Sequence, residues 1–492
     1  MDDFLTLAAR AHPDRLALID GDQRLSYAEL NTAVAELAAR LTAHGIQEGQ
    51  RVAVLLDRSR SAVQLVHALV RIGASLVPIN ARLTADEMQY QVQNADCDWI
   101  LHTTQDAALD SSTHVDDLPR NAPGPHVVGT LELDAEFGVL FTSGTTGKPK
   151  GARLLWKNIY ASAKASAERL GTFPDNRWLM TLPLYHIGGL SILLRSALYG
   201  TAVVLPNFTN DQFDLMQLQQ RMHETETTLV SLVPTMLHLL LEQNSSFPES
   251  LRLILLGGAA ASPQLLERAV AQNLPVATTY GLTECASQVA TATPDEARRK
   301  PGSVGKPLPG LRVDIRDDEG QPLPSGEIGT VYVAGDVVMS GYLHQAKVEE
   351  WFRTGDLGYL DADGDLFIVQ RRSDLIISGG ENIYPAEVES VLEQYPAITE
   401  ACVVGIPDEQ WGQQVAAAVT TLQPPSSAAD FSEELIAFCR QLLAGYKIPR
   451  KIIVLDALPQ TASGKIMRNE VLKLLESPRP IESVPSPQRG EG

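Results

Sequence analysis

Ten consecutive residues, Thr142-Ser143-Gly144-Thr145-Thr146-Gly147-Lys148-Pro149-Lys150-Gly151, gather the chemistry of polyphosphate binding in one place. The three glycines let the backbone bend with its N–H groups pointing inward, the four hydroxyls add donors, and the two lysines add charge. The loop is not a Walker A sequence, G-x-x-x-x-G-K-[ST], because Gly144 and Gly147 stand too close together and Pro149 follows Lys148. Nor is it a G-x-S-x-G nucleophile elbow, since Phe141 stands where the first glycine should be.

Other segments carry residue types that suit such a loop. Tyr280-Gly281-Leu282-Thr283-Glu284 ends in a carboxylate. A carboxylate is a hard oxygen ligand, and Mg²⁺ bridging phosphates usually takes one or two of them from the protein. Alone, Glu284 reads as a solvated loop acid, and Thr354-Gly355-Asp356 reads as a β-turn. In Ser378-Gly379-Gly380-Glu381-Asn382-Ile383-Tyr384-Pro385, paired glycines permit close backbone approach to a narrow ligand; alone, the segment is a turn leading into a helix.

The elements that must position these residues change texture along the chain. From Arg51 to about Glu284, apolar β-branched runs (51–56, 75–79, 177–182, 201–205, 228–232, 251–256) alternate with helical spacing (61–71, 189–198, 213–223). Thr84 and Glu87 form a capping box that opens a further helix. This alternation predicts parallel sheets covered by helices, an α/β class. From about Gly302 to Val369, short β-like pieces separated by Asp-Glu-Gly, Pro-Ser-Gly and Asp-Gly turns predict an antiparallel, barrel-like or sandwich subdomain. After Gln370 a small α+β domain is expected, with helices near 386–394, 432–443 and 465–476 and strands at 401–406, 415–421 and 451–455. The domain reading is 1–370, 371–476 and a Pro/Ser/Arg/Gly-rich tail, 477–492, without periodicity.

In order and spacing, these motifs resemble the adenylate-forming enzymes: acyl- and aryl-CoA ligases, peptide-synthetase adenylation domains and firefly-type luciferases. The resemblance spans nearly the whole chain. It implies ATP, Mg²⁺ and coenzyme A as co-substrates and cofactor, and a small C-terminal domain that moves against a large N-terminal one. By resemblance, Thr142 to Lys148 bind phosphate, with Thr146 and Glu284 at the metal. Tyr280 stacks on adenine, Gly281 shares its motif, and Thr283 meets phosphate. Gly257, Gly258, Ala259 and Ala260 wall the acyl and adenine pocket. Asp356 accepts from the ribose hydroxyls, and Arg371 reaches ribose or phosphate. Gln370, where the family often has glycine, and Ser373 lie at the hinge. Gly379, Gly380 and Glu381 line the pantetheine channel. Lys465, in Pro459-Gln460-Thr461-Ala462-Ser463-Gly464-Lys465-Ile466-Met467-Arg468, is the catalytic lysine. A point positive charge near the α-phosphate and the attacking carboxylate stabilises the charge gathering there.

Pro183-Leu184-Tyr185-His186-Ile187-Gly188-Gly189-Leu190 resembles the P-L-x-H segment of acyl-CoA ligases, which places His186 at the acyl pocket. Its continuation through Arg195, the pair Ser287-Gln288 and the unbroken RRSDLIISGGENIYPAEVE resemble the 2-succinylbenzoate–CoA ligases of menaquinone biosynthesis. That acid has a second carboxylate on its ring, and arginine is the best bidentate donor for it. Ligases for other aryl or medium-chain fatty acids, 4-coumarate among them, and an adenylation enzyme loading a carrier protein stand as alternatives.

Composition bounds the rest. With 60 acidic against 40 basic residues, the net charge is −20, which argues against a nucleic-acid partner. Cys97, Cys285, Cys402 and Cys439 show neither disulfide nor zinc spacing and read as inert thiols in a reducing compartment. The N-terminus does not pattern as a signal peptide, and no run reaches the ~20 apolar residues of a membrane span. A cytoplasmic enzyme acting on a small-molecule acid, ATP and CoA is the expectation, with a homo-oligomer left open.

Overall fold

The computed structural model describes residues 1–104, 109, 111–119, 129–142, 149–208, 213–243, 246–259, 261, 263–370, 375–425, 427–459 and 466–476. The chain divides into two compact bodies. The larger holds Met1–Ala81, Met88–Thr142 and Lys150–Arg371, and the smaller holds Arg82–Glu87 and the chain after Arg371.

Among the described residues, the larger body has a seven-stranded sheet. Its order is Gly341–Tyr342, Lys150–Leu155, Glu136–Thr142, Ser75–Ile79, Arg51–Leu55, Trp99–His102, Thr113–His114. The strands from Glu136–Thr142 onward pair in parallel, whereas Lys150–Leu155 is antiparallel to both its neighbours. The stretch carrying the glycine-rich loop therefore joins two antiparallel strands. A nine-stranded sheet runs Lys306–Pro307, Ser287–Thr291, Val276–Leu282, Leu253–Leu256, Leu229–Leu232, Arg177–Leu179, Ala202–Val204, Leu16–Asp20, Gln23–Ser26. Its inner strands are parallel and its edges antiparallel. Past their leading Arg51 and Ser75, the runs RVAVL and SLVPI are apolar, as is all of LILL, the pattern of a parallel sheet covered on both faces; Val52, Val54, Leu76 and Ile254 are fully buried.

The sheet edge at Leu16–Ser26 and the helices Phe4–Ala11 and Tyr27–His44 were not part of the sequence reading, which began its alternation at Arg51. A signal existed: Ser26 and Glu29 form a reciprocal capping box at the start of Tyr27–His44. The predicted Thr84–Glu87 box is present, with Thr84 N donating to Glu87 Oε2 at 2.7 Å and Glu87 N to Thr84 Oγ1 at 3.3 Å. Several strands are shorter than their apolar runs. The run 177–182 ends as a strand at Leu179, and 251–256 begins at Leu253.

The third sheet is antiparallel, in the order Arg312–Arg316, Gly329–Ala334, Trp351–Leu360, Leu366–Gln370. At the turn joining its last two strands, carboxylates of Asp361, Asp363 and Asp365 converge on Lys300 Nζ at 2.6, 2.7 and 2.5 Å.

In the smaller body, Ile376–Ser378 and Glu381–Ile383 form a hairpin, a correction to the simple turn read from sequence. Its two-residue turn, Gly379 and Gly380, has φ of +58° and +86°, values that glycine accepts without strain. The long strands Ile398–Asp408 and Gly412–Thr421 pair antiparallel, and Lys451–Val454 joins the latter in parallel. Helices Pro385–Leu392, Ala428–Leu442 and Arg468–Glu476 complete it, burying Val388, Leu435 and Val471. Among the described residues, no helix is long and apolar enough to cross a membrane.

Candidate active site

The hairpin Val276–Leu282/Ser287–Thr291 in the larger body carries the Tyr280–Glu284 motif. The chain reverses through a single 3-10 turn, Thr283–Cys285, followed by Ala286 and Ser287 at φ of +49° and +108°. The reversal is tight enough that a Cβ on Gly281 would lie 2.1 Å from the Ser287 carbonyl oxygen, so only glycine fits there. Glu284 thus sits at the tip, yet is only 5% exposed. Its Oε1 accepts from the Tyr342 hydroxyl at 2.7 Å and from Thr142 Oγ1 at 3.3 Å. Among the described residues, Oε2 has no hydrogen-bond partner. A buried carboxylate with one open oxygen, beside the strand that enters the glycine-rich loop, fits a hard divalent cation.

Tyr280, in the same motif, meets a different carboxylate. Its ring is buried and its hydroxyl donates to Asp356 Oδ2 at 2.6 Å. Asp356 owes its position to a bulge, not the isolated turn that Thr-Gly-Asp suggests. Pairing runs Tyr332↔Arg353 and then Thr330↔Leu357, so Thr354, Gly355 and Asp356 face Val331 alone. Gly355 takes φ +81°, and Thr354 Oγ1 accepts from Asp356 N at 3.1 Å while donating to Val331 O at 2.8 Å. Bulges of this kind re-aim a side chain.

Arg195 lies on helix Ile187–Tyr199 and is 2% exposed. Its Nη1 donates to Gln288 Oε1 at 2.7 Å and its Nη2 to Ser162 Oγ at 2.9 Å. Gln288 Nε2 is anchored on Thr291 Oγ1 at 2.8 Å, and Ser162 donates to Ala286 O at 2.7 Å. Both partners therefore tie Arg195 to the hairpin of Glu284. Among the described residues, no carboxylate pairs with this guanidinium, and burial pushes its pKa down from the ordinary value. An unneutralised buried cation of this kind suits an anionic ligand.

His186 is the residue before the helix of Arg195; its ring lies 4.6 Å from that of Tyr185. The Gly188–Gly189 pair after it has a packing reason, since a Cβ on Gly189 would meet Pro183 O at 2.1 Å. Gly257, half-buried, and Gly258, at φ +81°, end strand Leu253–Leu256, with Ala259 next. In the smaller body, Gly379 packs on Trp411: its N–H donates to Trp411 O at 2.9 Å, and a Cβ would lie 2.8 Å from the indole. Glu381 is buried and accepts from Arg82 at 3.0 Å.

Residues 5–343 match the AMP-binding enzyme family, and residues 387–465 match the AMP-binding enzyme C-terminal domain. The chain belongs to the AMP-binding enzyme family. This AMP-binding enzyme is 41% identical over 483 residues to the 2-succinylbenzoate–CoA ligase of Bacillus subtilis (strain 168), covering 95% of this chain and 97% of that one. A double mutant of the Bacillus subtilis o-succinylbenzoate CoA synthetase, bound with its product analogue OSB-NCoA, matches with a TM-score of 0.90 at 40% identity, over 96% of this chain and 98% of that one. The same Bacillus subtilis synthetase in complex with ATP and magnesium ion matches with a TM-score of 0.72 at 39% identity, over 96% and 99% of the two chains.

Within this AMP-binding enzyme, the structure brings together Thr142 and Glu284, Tyr280 and Asp356, and Arg195 and Gln288. Ser143, Gly144, Thr145, Thr146, Gly147, Lys148, Ala260, Arg371, Ser373 and Lys465 lie outside the described residues, as does the Gln370 side chain. Sequence reasoning missed Tyr342, Ser162 and Thr291, which hold the candidate residues in place. Tyr342 belongs to a two-residue strand without periodicity, and Ser162 is one small polar residue on an amphipathic helix. The four thiols are unsuited to nucleophilic work. Burial pushes Cys402 and Cys439 up to about 11 and Cys97 up to about 12, and raises buried Cys285 well above its ordinary value.

Proposed function

We propose that this chain is an AMP-forming acid–CoA ligase whose acid is 2-succinylbenzoate, acting in menaquinone biosynthesis in the cytoplasm. The observation that supports this acid is Arg195, buried, forked onto Gln288 and Ser162, and facing no carboxylate among the described residues. The ring carboxylate supplies the missing charge. The relatives named above act on, or bind analogues of, the same acid.

In the first half-reaction a carboxylate oxygen of the succinyl chain attacks the α-phosphorus of ATP. The bond from that phosphorus to its bridging oxygen breaks, and pyrophosphate leaves. In the second, the CoA sulfur, its proton lost, attacks the acyl carbon; the bond to the AMP oxygen breaks, giving the thioester and AMP. The protein's share is positioning and charge compensation. Asp356, held by Tyr280, receives the ribose hydroxyls. Arg195 fixes the ring end and His186 the reacting end of the acid, while Lys465 and Arg371 meet the phosphate and ribose. Gly379 and Gly380 lie along the path of the pantetheine arm. Glu284 and Thr146 would hold Mg²⁺, which when bound offsets phosphate charge.

The test is a panel of acids with ATP and CoA, read as AMP release: 2-succinylbenzoate, 4-oxo-4-phenylbutanoate (the same chain without the ring carboxylate), 4-coumarate and octanoate. The expected preference for 2-succinylbenzoate over 4-oxo-4-phenylbutanoate is at least about 100-fold, the scale of a desolvated charge pair. Equal turnover of the two would overturn the ring-carboxylate assignment, and activity only with a carrier protein would overturn CoA as acceptor.

A further inference from the structure

The segment from Met339 to Leu343 touches Glu284 twice. Met339 N donates to the Glu284 carbonyl at 2.8 Å, and the Tyr342 hydroxyl donates to Glu284 Oε1 at 2.7 Å. The segment is also stitched to the strand that leaves the glycine-rich loop. Gly341 pairs with Arg153 and Tyr342 with Ala152, and Leu343 N donates to Gly151 O at 2.8 Å. Thr142, the last residue of the strand that enters the loop, reaches the same Oε1. One carboxylate oxygen thus joins the strand that enters the loop to the segment Met339 to Leu343, which in turn pairs with the strand that leaves it.

We propose that Tyr342 is a positioning residue for the metal-binding carboxylate. By occupying Oε1, its hydroxyl fixes the rotation of the Glu284 carboxylate and turns Oε2 toward the divalent cation that accompanies ATP. The inference rests on the reading above that Glu284 holds that cation. A hydroxyl-to-carboxylate bond is charge-assisted, and partners that orient a metal-binding group govern affinity nearly as much as the group itself. With Oε1 engaged by two hydroxyls, Glu284 is set to bind through one oxygen. Lys150 Nζ stands 5.6 Å from the centroid of the Tyr342 ring, a cation–π contact that a phenylalanine would keep. Tyr342→Phe therefore removes the hydrogen bond and leaves the ring's packing in place.

The test measures Mn²⁺ binding to the full-length protein with a non-hydrolysable ATP analogue, by electron paramagnetic resonance, alongside metal-free AMP affinity by calorimetry. Tyr342→Phe should weaken Mn²⁺ binding by about 10–100-fold and leave AMP affinity unchanged. Glu284→Gln should weaken Mn²⁺ at least as much. If Glu284→Gln loses Mn²⁺ and Tyr342→Phe binds it as the parent does, the role of Tyr342 is overturned and the metal reading stands. If Glu284→Gln keeps parental Mn²⁺ affinity, both fall. If Tyr342→Phe weakens AMP by the same factor as Mn²⁺, Tyr342 serves the local fold alone and the proposal is overturned. Should Tyr342→Phe not fold, Thr142→Val removes the other donor to Oε1: about a threefold weakening of Mn²⁺ is expected, and none overturns the proposal.

Discussion

Tyr280 donates its hydroxyl to Asp356 at 2.6 Å across 76 residues of sequence, with both side chains buried. Two motifs assigned to different parts of the nucleotide, adenine and ribose, are thereby one mechanical unit. Tyr280→Phe leaves a buried carboxylate short of a donor. It should cost about 1–3 kcal/mol in urea unfolding. KM for ATP should rise severalfold while KM for the acid stays near the parental value.

Arg195→Ala should lower kcat/KM for 2-succinylbenzoate by about 100-fold or more, mainly through KM, and leave KM for ATP unchanged. Arg195→Lys keeps the charge but loses the fork that reaches both Gln288 and Ser162, so its activity should fall between the two. Steady-state pyrophosphate release decides. Equal losses against acid and ATP would assign Arg195 to the fold.

Glu136 carries a pH prediction. It starts the strand leading to Thr142, and it accepts from Arg51 at 2.7 Å, Arg153 at 2.9 Å and Ser75 at 2.8 Å. Burial alone would raise its pKa, but these three donors outweigh burial and the net shift is downward. A folded value below the unfolded one means that its stabilisation is present above the ordinary carboxylate range and is lost as pH falls through the lowered value. Glu136→Gln should therefore be less stable than the parent by about 3 kcal/mol at pH 7. The gap should close as pH falls below about 4, measured by urea unfolding at stepped pH.

Lys465→Ala should abolish adenylate formation and leave thioester formation from supplied 2-succinylbenzoyl-adenylate and CoA largely intact. Rapid-quench assays of each half-reaction separate the two. Joint loss would count against a lysine confined to the first half-reaction.

The parallel cores were legible because buried strands such as SLVPI and RVAVL have no polar face to hide. The Thr84–Glu87 box was legible because its signal is local. Arg195 stood out as a charge on a helix otherwise apolar on one face. Asp356 was legible as a residue but not as a geometry. Its bulge depends on pairing with Val331, which no local pattern announces. Tyr342 escaped because its role is set by Glu284, 58 residues away. Short polar residues such as Ser162 act only through what folding brings to them.

Lys300 gives the Asp361–Asp365 turn a cation that is part of the chain. Three carboxylates drawn this close would otherwise repel one another or recruit a dissolved ion from the medium. A tethered ammonium cannot be diluted away or chelated, and its effective concentration is set by the backbone that holds it. The turn that hands the chain from the strand of Asp356 to the strand ending at Gln370 thus carries its own counter-ion.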